Sequence, residues 1–374
     1  MESSTATTIV DLLGEKLTGV TIKDVQNSPF QKNLDYRGFT AAPLLGESQG
    51  LAVYLNGTRI NEGFGDTLQW ELVPEAALTN IDLMSSNPVF GLNALGGSLA
   101  LTTKKGLDYL NTESSIENHF EVGGADWVNG NIELGAGTET QGLYVAMENS
   151  YDGGWRDNSA GDVKRLFVNY GILGDNFDYD FTFMNADSNL NGNGVSPTEL
   201  LKVRRESVFT WPDFTSNKVY LAASNANFYL EDDSAINTSI YYRRLIRDTM
   251  NADELDAEEC AEDDEDHAEQ MEEDFGTADE PICGEADGDN YEVLIDQYGN
   301  AISNNDAIRK YGLLNHSSTM TVTWGGSAQY NINTNYLNKM HNIIIGASID
   351  KTRTAFHSRG ELGQLHNNLS LIHI

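Results

Sequence analysis

Few residues of this chain have the types and spacing that catalysis or metal binding requires. The seven histidines are scattered without the spacing of a metal site, and no Ser/His/Asp or Cys/His arrangement of a nucleophilic site has local support in the sequence. The glycine-rich stretch 191–197 is not followed by the Lys-Ser/Thr helix start of a phosphate-binding loop. We therefore expect no catalytic residue, no metal ligand and no cofactor-binding residue, and we expect that the chain is not an enzyme.

The strongest local charge is an acidic segment at 253–292, which contains about twenty Asp and Glu and no Lys or Arg. It contributes much of the formal net charge of −34. Such a segment cannot bury itself, and it repels nucleic acid, so we expect it to be solvated and expect no nucleic-acid partner. Asp287-Gly288-Asp289 suggests a calcium loop, but Tyr291 breaks the EF-hand spacing, and calcium binding is left open.

Both cysteines of the chain, Cys260 and Cys283, lie in this acidic segment. Two cysteines this close in sequence would form a disulfide in an oxidising compartment. A zinc site is the alternative, although the one histidine nearby is His267. The spacing favours the disulfide.

Most of the chain after Gly106 alternates apolar and polar residues with period two, which predicts half-buried β-strands. No run of eighteen apolar residues occurs, so no transmembrane helix is expected. An apolar outer face and a polar inner face, with aromatic residues towards strand ends, are typical of an outer-membrane barrel. The clearest alternating stretches are 131–136, 143–151, 177–183, 320–332 and 342–350.

The lengths of the connections separate a barrel from a soluble β-sandwich, which would also alternate. Short and long connections take turns along the chain, as they do when one rim has tight turns and the other has long loops. The short ones are 138–141, 174–176, 231–234 and 333–337, and the long ones are 152–162, 187–216 and 247–318. We count about nine strands, and we place the acidic segment in an extracellular loop.

The stretch 37–104 has a different sequence pattern. It contains four short sequence blocks in a fixed order. It reads RGF at Arg37, VYLNGTRIN at 53–61, ELVPEAALTNIDL at 71–83 and NPVFGLNALGGSLALTTK at 87–104. The Asn-Gly pair inside the second block predicts a tight hairpin. Pro74 can open a short helix, and Gly-rich turns precede the closing strand.

The order and spacing of these blocks resemble the plug domain of TonB-dependent outer-membrane receptors. The chain departs from the family pattern at Asp82, at Ser86-Asn87-Pro88 and at Phe90, which discourages assignment to a particular subfamily. The resemblance implies an α+β plug domain over 1–106, followed over 107–368 by the N-terminal part of an antiparallel transmembrane β-barrel. That barrel would be incomplete, because the family's barrels have about twenty-two strands.

The resemblance also implies a function. Such a receptor binds a scarce extracellular ligand, most often a ferric siderophore or a similar metal chelate, and imports it into the periplasm with energy from the TonB complex. The expected surroundings are the outer membrane of a Gram-negative bacterium and its lipid. The alternative is an outer-membrane adhesin or ligand-binding module that uses the acidic loop without active transport.

In plugs of this family the ligand contacts come from apical loops, which correspond here to 43–49 and 61–69. Carried onto this chain, they give the candidates Glu47, Gln49, Phe64 and Asp66. The segment YDGGWRDNS at 151–159 resembles a motif at the outer end of an early barrel strand, and it adds Trp155 and Arg156 as candidates on the barrel side. Their alternative role is structural, in the aromatic girdle and in a loop ion pair.

We also make predictions about the two ends of the chain. The N-terminus has no signal peptide and no room for the family's TonB box, so we expect both to belong to a preceding segment. Residues 369–374, LSLIHI, follow no strand pattern and equal one translated frame of a sequencing adapter. We therefore expect a non-native tail from residue 369 onwards.

Overall fold

The computed structural model describes residues 6–24, 26–85, 93–230, 234–254, 257–259, 282–285, 291–293, 298, 311–336, 339–365 and 371–373. A small α+β unit forms the N-terminal part, and one large antiparallel sheet follows it. This architecture confirms the predicted plug and strand-rich remainder.

The N-terminal unit begins with helix α1 (Ile9–Lys16). The Thr8 side chain caps the helix by accepting a hydrogen bond from Asp11 N at 3.3 Å. Ile9, Val10 and Leu13 form the buried face of the helix. An antiparallel sheet of β1 (Val20–Asp24), β2 (Lys32–Tyr36) and β3 (Phe39–Ala41) follows.

The second sheet of the unit is mixed, with the order β5-β4-β7-β6. Strand β4 (Leu51–Leu55) runs parallel to β7 (Gly97–Thr103), whereas β5 (Thr58–Arg59) and β6 (Leu78–Ser85) are antiparallel to their neighbours. Two 3₁₀ turns lie between β5 and β6, at Trp70–Leu72 and Glu75–Ala77.

The predicted Asn-Gly hairpin joins β4 to β5. Asn56 has φ of 48° and Gly57 has φ of 83°, so both turn residues take the positive φ that such a turn demands. Asn56 also donates from its side-chain amide to Thr103 Oγ1 at 2.8 Å, which fastens the turn to the end of β7. Residues 86–92, which carry part of the family resemblance, lie outside the described residues.

The large sheet contains nine long strands and one short strand, each antiparallel to its neighbours. The order follows the chain, and the two outermost strands do not pair with each other in the part of the chain that the structure describes. The strands are β8 (Ser115–Val122), β9 (Val128–Gly137), β10 (Gln141–Asp152), β11 (Gly161–Leu173), β12 (Phe177–Asn191), β13 (Asp213–Tyr229), β14 (Ala235–Glu254), β18 (Tyr311–Tyr336), β19 (Lys339–Leu365) and β20 (Leu371–His373).

Smaller elements occupy the long connections. Helix α2 (Thr198–Val203) lies between β12 and β13. Strands β15 (Ala257–Glu259), β16 (Ile282–Glu285) and β17 (Tyr291–Val293) form a separate three-stranded sheet between β14 and β18. None of the helices in the described ranges is long and apolar enough to cross a membrane.

One face of the large sheet packs against the plug, and the other is apolar and exposed. In β10, Tyr144 and Ala146 are buried, whereas Leu143 and Met147 are exposed. The plug and sheet share one hydrophobic core, in which Trp70 of the plug lies in the same cluster as Tyr144 and Phe167. The prediction of half-buried strands with an apolar exposed face is therefore confirmed.

The predicted lengths of the last strands were too short. We predicted a strand at 342–350, and β19 runs over 27 residues. Lys351 and Arg353 interrupt the apolar alternation, but β19 continues its pairing with β18 as far as Gln364 opposite Tyr311. Backbone hydrogen bonds therefore extend the strand where side-chain polarity does not reveal it. In the tail, Leu371–His373 pairs with β19, and its non-native origin remains a prediction.

Candidate functional site

The plug presents two loops, 43–49 and 61–69, close to the ends of β14 and β19 that border the long connections. Arg247 of β14 donates from Nη1 to Pro43 O at 2.9 Å. Phe64 packs against Phe356 of β19 with ring centroids 5.5 Å apart. These contacts place the first loop beside β14 and the second loop beside β19.

The first loop is shaped by one of its own candidate residues. The Gln49 side chain accepts a hydrogen bond from Ala42 N at 3.0 Å and donates to Ala42 O at 3.2 Å and to Leu44 O at 3.4 Å. Glu47 is exposed, and Leu45 at the loop tip is 47% exposed. Gln49 thus holds the loop in place, and Glu47 and Leu45 are open to a ligand.

The second loop is fixed by Asn61 and Asp66. The buried Asn61 side chain accepts from Val53 N at 2.7 Å and donates to Leu51 O at 3.0 Å and to Asp66 O at 3.3 Å. The Asp66 carboxylate is shared by the Arg59 guanidinium and the Asn93 amide. Asp66 is therefore engaged within the plug, whereas Phe64 remains 38% exposed.

The barrel-side candidates lie in the connection between β10 and β11. Trp155 donates from Nε1 to Asn27 Oδ1 of the plug at 3.0 Å. Arg156 donates to Ser196 Oγ and to Ser207 O, both at 2.7 Å, and so joins its loop to the next long connection. Desolvation by burial lowers the pKa of Arg156. The structure places this pair beside residues 26–31 of the plug and places Phe64 beside β19, so the six candidates form two groups.

The acidic side chains of the plug reach buried arginines of the sheet, a feature that our sequence analysis missed. Glu62 pairs with Arg243 of β14, and both are nearly inaccessible to solvent. Glu75 pairs with Arg165 of β11 at 3.4 Å, and Arg165 also pairs with Glu148 of β10 at 3.1 Å. We call these contacts the plug–wall ion pairs.

Glu71 of the plug also contacts the sheet, through hydrogen bonds to polar side chains and to an arginine. Its Oε1 accepts hydrogen bonds from Asn217 Nδ2 at 2.8 Å and from Ser188 Oγ at 3.4 Å, and its carbonyl oxygen accepts from Arg165 Nε at 2.6 Å. Burial raises the pKa of Glu71 to about 7, against the lowering effect of its hydrogen bonds and of Arg247. Burial also raises the pKa of Glu62 and of Glu75, opposed chiefly by Arg243 and Arg165 respectively.

A second set of contacts holds the crossing from the plug to the first long strand. Lys104 pairs with Glu133 of β9, and Glu133 also accepts from Tyr144 Oη at 2.5 Å. Lys105 pairs with Asp180 of β12 at 3.2 Å, and Gly106 N donates to Asn169 Oδ1 at 2.8 Å. The plug is thus tied to the sheet at its base as well as at its middle.

The cysteine prediction falls partly outside the described residues. Cys283 lies in β16 and is 5% exposed. Cys260 lies outside the described residues, so the disulfide between them remains a prediction. In the described ranges no group of three or more His, Cys, Asp and Glu side chains could hold a metal ion.

Comparison with known proteins agrees with this architecture. Residues 1–98 match the family model described as the TonB-dependent receptor plug domain. No sequence among the curated proteins matches the chain.

Solved structures share the fold over nearly the whole chain at low sequence identity. The unliganded ferric citrate transporter FecA is 14% identical, with a TM-score of 0.68, and the match covers 96% of this chain and 46% of the transporter. The pyoverdine outer membrane receptor FpvA from Pseudomonas aeruginosa PAO1 is 9% identical, with a TM-score of 0.61 and coverage of 95% and 45%. The siderophore receptor PiuA from Acinetobacter baumannii is 11% identical, with a TM-score of 0.51 and coverage of 93% and 59%.

The chain thus spans less than half of the length of the first two of these proteins. At these identities the likeness shows the fold, while the plug-model match identifies the N-terminal domain. This chain therefore carries a plug domain of the TonB-dependent receptor family, followed by an antiparallel sheet with the fold of the barrels of those receptors.

Proposed function

We propose that this chain belongs to an outer-membrane receptor that binds a scarce extracellular ligand and imports it into the periplasm with energy from the TonB complex. The observation that carries the proposal is the plug itself, packed against one face of the sheet with its two apical loops beside the long connections. A plug in this position blocks a pore, and a blocked pore that must pass a ligand needs energy to open.

The chemistry of the contact between plug and wall supports a plug that moves. The buried carboxylates of Glu62 and Glu71 and the half-buried carboxylate of Glu75 meet arginine, asparagine and serine side chains of the sheet. Burying a charged pair costs desolvation energy that the attraction between the charges only partly offsets. Such contacts therefore fix the position of the plug more than they stabilise the fold. They allow a plug to be held in one place and still be displaced by force.

The ligand is proposed to be a metal chelate of the siderophore type. The solved proteins with this fold include a ferric citrate transporter and receptors for pyoverdine and siderophores. We propose that the metal enters inside its chelator. Recognition would then depend on the shape and polar groups of the chelator.

Among the ligand-binding candidates, Glu47 and Phe64 are those with exposed side chains on the apical loops, and Leu45 beside them is exposed as well. Gln49 is proposed to act by holding the loop, and Asp66 by fixing the second loop through Arg59 and Asn93. Trp155 and Arg156 are proposed to line the side of the ligand site opposite the apical loops. Arg205 also lies there, 5.3 Å from the Trp155 ring centroid.

The proposal is tested by uptake of ⁵⁵Fe into cells that carry the complete receptor and have no other chelate receptor. Ferric citrate and ferric pyoverdine serve as the probes, in matched strains with and without TonB. We expect accumulation of one probe that disappears without TonB. Surface binding without TonB-dependent accumulation would contradict transport and would support the adhesin or ligand-binding alternative.

The apical loops are tested with Phe64→Ala in the same cells. Loss of one good contact costs about 1–3 kcal/mol, which is about tenfold or more in affinity. We expect half-saturation of uptake to shift to a higher probe concentration at an unchanged surface level. The matched control is Phe177→Ala, because Phe177 has the same exposed fraction of 38% but lies at the tight-turn end of β12.

A further inference from the structure

The outward face of β19, which points away from the plug, changes from apolar to basic along the strand. Asp350 and Thr352 line a cavity of about 600 Å³ between the plug and the sheet, so the residues that alternate with them point outward. The outward positions nearest the tight turn are apolar and exposed, at Ile343, Ile345, Ala347 and Ile349. The next two are Lys351 and Arg353, which are also exposed.

The number of residues places these two cations at a membrane surface. A tilted strand crosses the bilayer in about 9–11 residues. Lys351 and Arg353 are the ninth and eleventh residues counted from Ile343. A strand that enters the hydrocarbon at Ile343 therefore leaves it at these two cations, on the side of the long connections.

Arg244 of β14 lies on the same outward face as these two cations. Its Nη2 donates to Met320 Sδ at 3.4 Å, and Met320 is an exposed residue of β18. Val322 of β18 pairs with Arg244 on one side and with Arg353 on the other. Neighbouring strands are about 4.8 Å apart, so the Cα atoms of Arg244 and Arg353 are about 10 Å apart. Both guanidinium groups can therefore reach one anionic group placed over Val322.

An aromatic pair borders the three cations on the apolar side. Tyr242 of β14 pairs with Trp324 of β18, and Trp324 pairs with Lys351 of β19. Both rings are exposed. Tyrosine and tryptophan are enriched at the level of lipid headgroups, because an apolar ring with a polar tip suits both sides of that boundary. The aromatic pair therefore marks the membrane surface at the same height as the length of the strand does.

The three cations have few acceptors around them. Arg243 and Arg359 on the same strands have carboxylate partners, whereas none of the three forms an ion pair within the described residues. Arg244 Nε is enclosed and has no acceptor there. In the described part of β14, β18 and β19, the nearest carboxylate on the outward face is Asp248, two rungs beyond Arg244. The three positive charges are therefore not neutralised by their own strands.

On β11 to β13, by contrast, the outward cations have partners within the sheet. Lys164 Nζ lies 3.9 Å from Asp162 Oδ2, and Lys218 Nζ lies 3.3 Å from Asp187 Oδ2. Lys164, Asp187 and Lys218 pair across three strands in register with Ile246 of β14, so they share the face of Arg244. The unpaired positive charge of this face is thus concentrated on β14 and β19.

We propose that Arg244, Lys351 and Arg353 form a binding site for the phosphate groups of an outer-leaflet lipid, whose acyl chains lie against the apolar positions below them. Guanidinium groups bind phosphate through paired N–H donors, and an apolar face directly beside the cations suits an acyl chain. In a chain whose net charge is −34, these unpaired cations offer an anionic lipid a favourable contact. The site rests on the outer-membrane location in the proposed function and does not depend on transport.

The test measures lipid binding to the complete receptor in an uncharged detergent by native mass spectrometry, and it requires no uptake. The probe is bisphosphorylated lipid A, a glycolipid with two phosphate groups. Phosphatidylcholine, which has acyl chains but no net charge, is the comparison lipid. Inorganic phosphate is added as a competitor, because it offers the same chemical group without acyl chains.

Two variants remove charge from the site and keep long polar side chains. One is Arg353→Gln, and the other combines it with Arg244→Gln and Lys351→Gln. The matched control is Lys164→Gln, which removes one charge from the same outward face at a lysine that has a carboxylate partner. The substituted side chains are not part of the buried core, so the unfolding midpoints should match the parent and show that each variant is folded.

We expect the affinity for lipid A to fall about fivefold in Arg353→Gln and about a hundredfold in the triple variant, and to change by less than about twofold in Lys164→Gln. Phosphatidylcholine should bind more weakly and equally to all forms. An equal loss in Lys164→Gln, or lipid A that inorganic phosphate displaces at equal phosphate concentration, would overturn the proposal. Failure of ⁵⁵Fe uptake with charge-dependent lipid binding intact would instead count against transport alone.

Discussion

Along β10 to β13 the plug is packed closely on the sheet, whereas along β14, β18 and β19 cavities separate the two. On the first side, Arg165 reaches Glu75, Glu148 and the backbone of Glu71, and Asn217 and Ser188 hold the Glu71 carboxylate. On the second side, cavities of about 600 and 120 Å³ meet at one ion pair. One half of the wall thus holds the plug, and the other half leaves room beside it.

The difference is compatible with the proposed movement of the plug. Interiors are close-packed, and each empty volume is a loss of contact energy. A folded chain keeps a large polar cavity against that cost when something occupies the space at some stage. We expect the close-packed side to dominate stability and the cavity side to dominate function.

The largest effect is expected from Arg165→Ala on the close-packed side. Removing this guanidinium leaves Glu75 and Glu148 as buried carboxylates, which costs about 3–5 kcal/mol for a broken buried pair. Arg243→Ala on the cavity side should cost less, about 1–3 kcal/mol, because removing the guanidinium opens the buried Glu62 to water in the adjacent cavity. Chemical unfolding of the chain in detergent measures both, and equal losses would contradict the comparison.

Glu71 should contribute to the pH dependence of stability, beside Glu62 and Glu75, whose pKa values burial also raises. Its pKa is about 7 in the folded chain against an ordinary value of 4.5, so the folded state binds the proton more tightly than the unfolded state. The resulting stabilisation is complete below pH 4.5 and is lost as pH rises towards 7, by roughly 3 kcal/mol.

Glu71→Gln keeps the shape of the side chain and cannot ionise. We expect the variant to lose the part of the pH dependence of stability that comes from Glu71. It should also be more stable than the parent at pH 8. Unfolding midpoints at pH 5, 6, 7 and 8 provide the measurement. A parent and variant with the same slope would show that Glu71 does not titrate in this range.

A smaller effect is expected from Asn61→Ala in the second apical loop. The change removes three hydrogen bonds and leaves Val53 N and Leu51 O unpaired in the core, at a cost of about 1–3 kcal/mol. Amide exchange of residues 61–69 should accelerate. Asn80→Ala is the matched control, because Asn80 is exposed and bonds only to Asp82 among its described hydrogen bonds, so it should shift stability by less than about 0.5 kcal/mol.

The strands and the hairpin could be predicted because their signals are local. Period-two alternation marks the strand faces, and Asn56-Gly57 marks a turn that needs two positive φ values. The full length of β19 was missed because Lys351 and Arg353 interrupt the apolar pattern while the backbone pairing with β18 continues.

The plug–wall contacts could not be predicted in the same way because their partners are far apart in sequence. Glu71 and Asn217 are 146 residues apart. A partial signal existed in Arg165, a charged residue on the buried face of β11 between Val163 and Phe167. Such a residue must find a partner inside, although the sequence does not identify it.

The ligand-binding candidates show a second limit. Gln49 and Asp66 were selected because polar side chains on apical loops can contact a ligand, and in the structure both bond within the plug. A polar side chain in a loop has the same signature in sequence whether it faces a ligand or its own backbone. Whether these residues also touch a ligand remains a prediction.

We infer that the ligand passes on the side of β14, β18 and β19, and two engineered disulfides test this route. A Cβ placed on Gly192 would lie 3.4 Å from Gln26 Cβ, and one placed on Gly63 would lie 2.9 Å from Thr352 Cβ. Both pairs approach disulfide geometry, with a small outward shift needed at Gly63. Gln26→Cys with Gly192→Cys ties the plug to the connection after β12, and Gly63→Cys with Thr352→Cys closes the cavity side.

The measurement is ⁵⁵Fe uptake of the two tethered receptors before and after reduction with dithiothreitol. We expect the Gly63–Thr352 tether to abolish uptake and reduction to restore it. The Gln26–Gly192 tether should leave most uptake intact. Normal uptake through the Gly63–Thr352 tether, together with loss of uptake in the other, would contradict it.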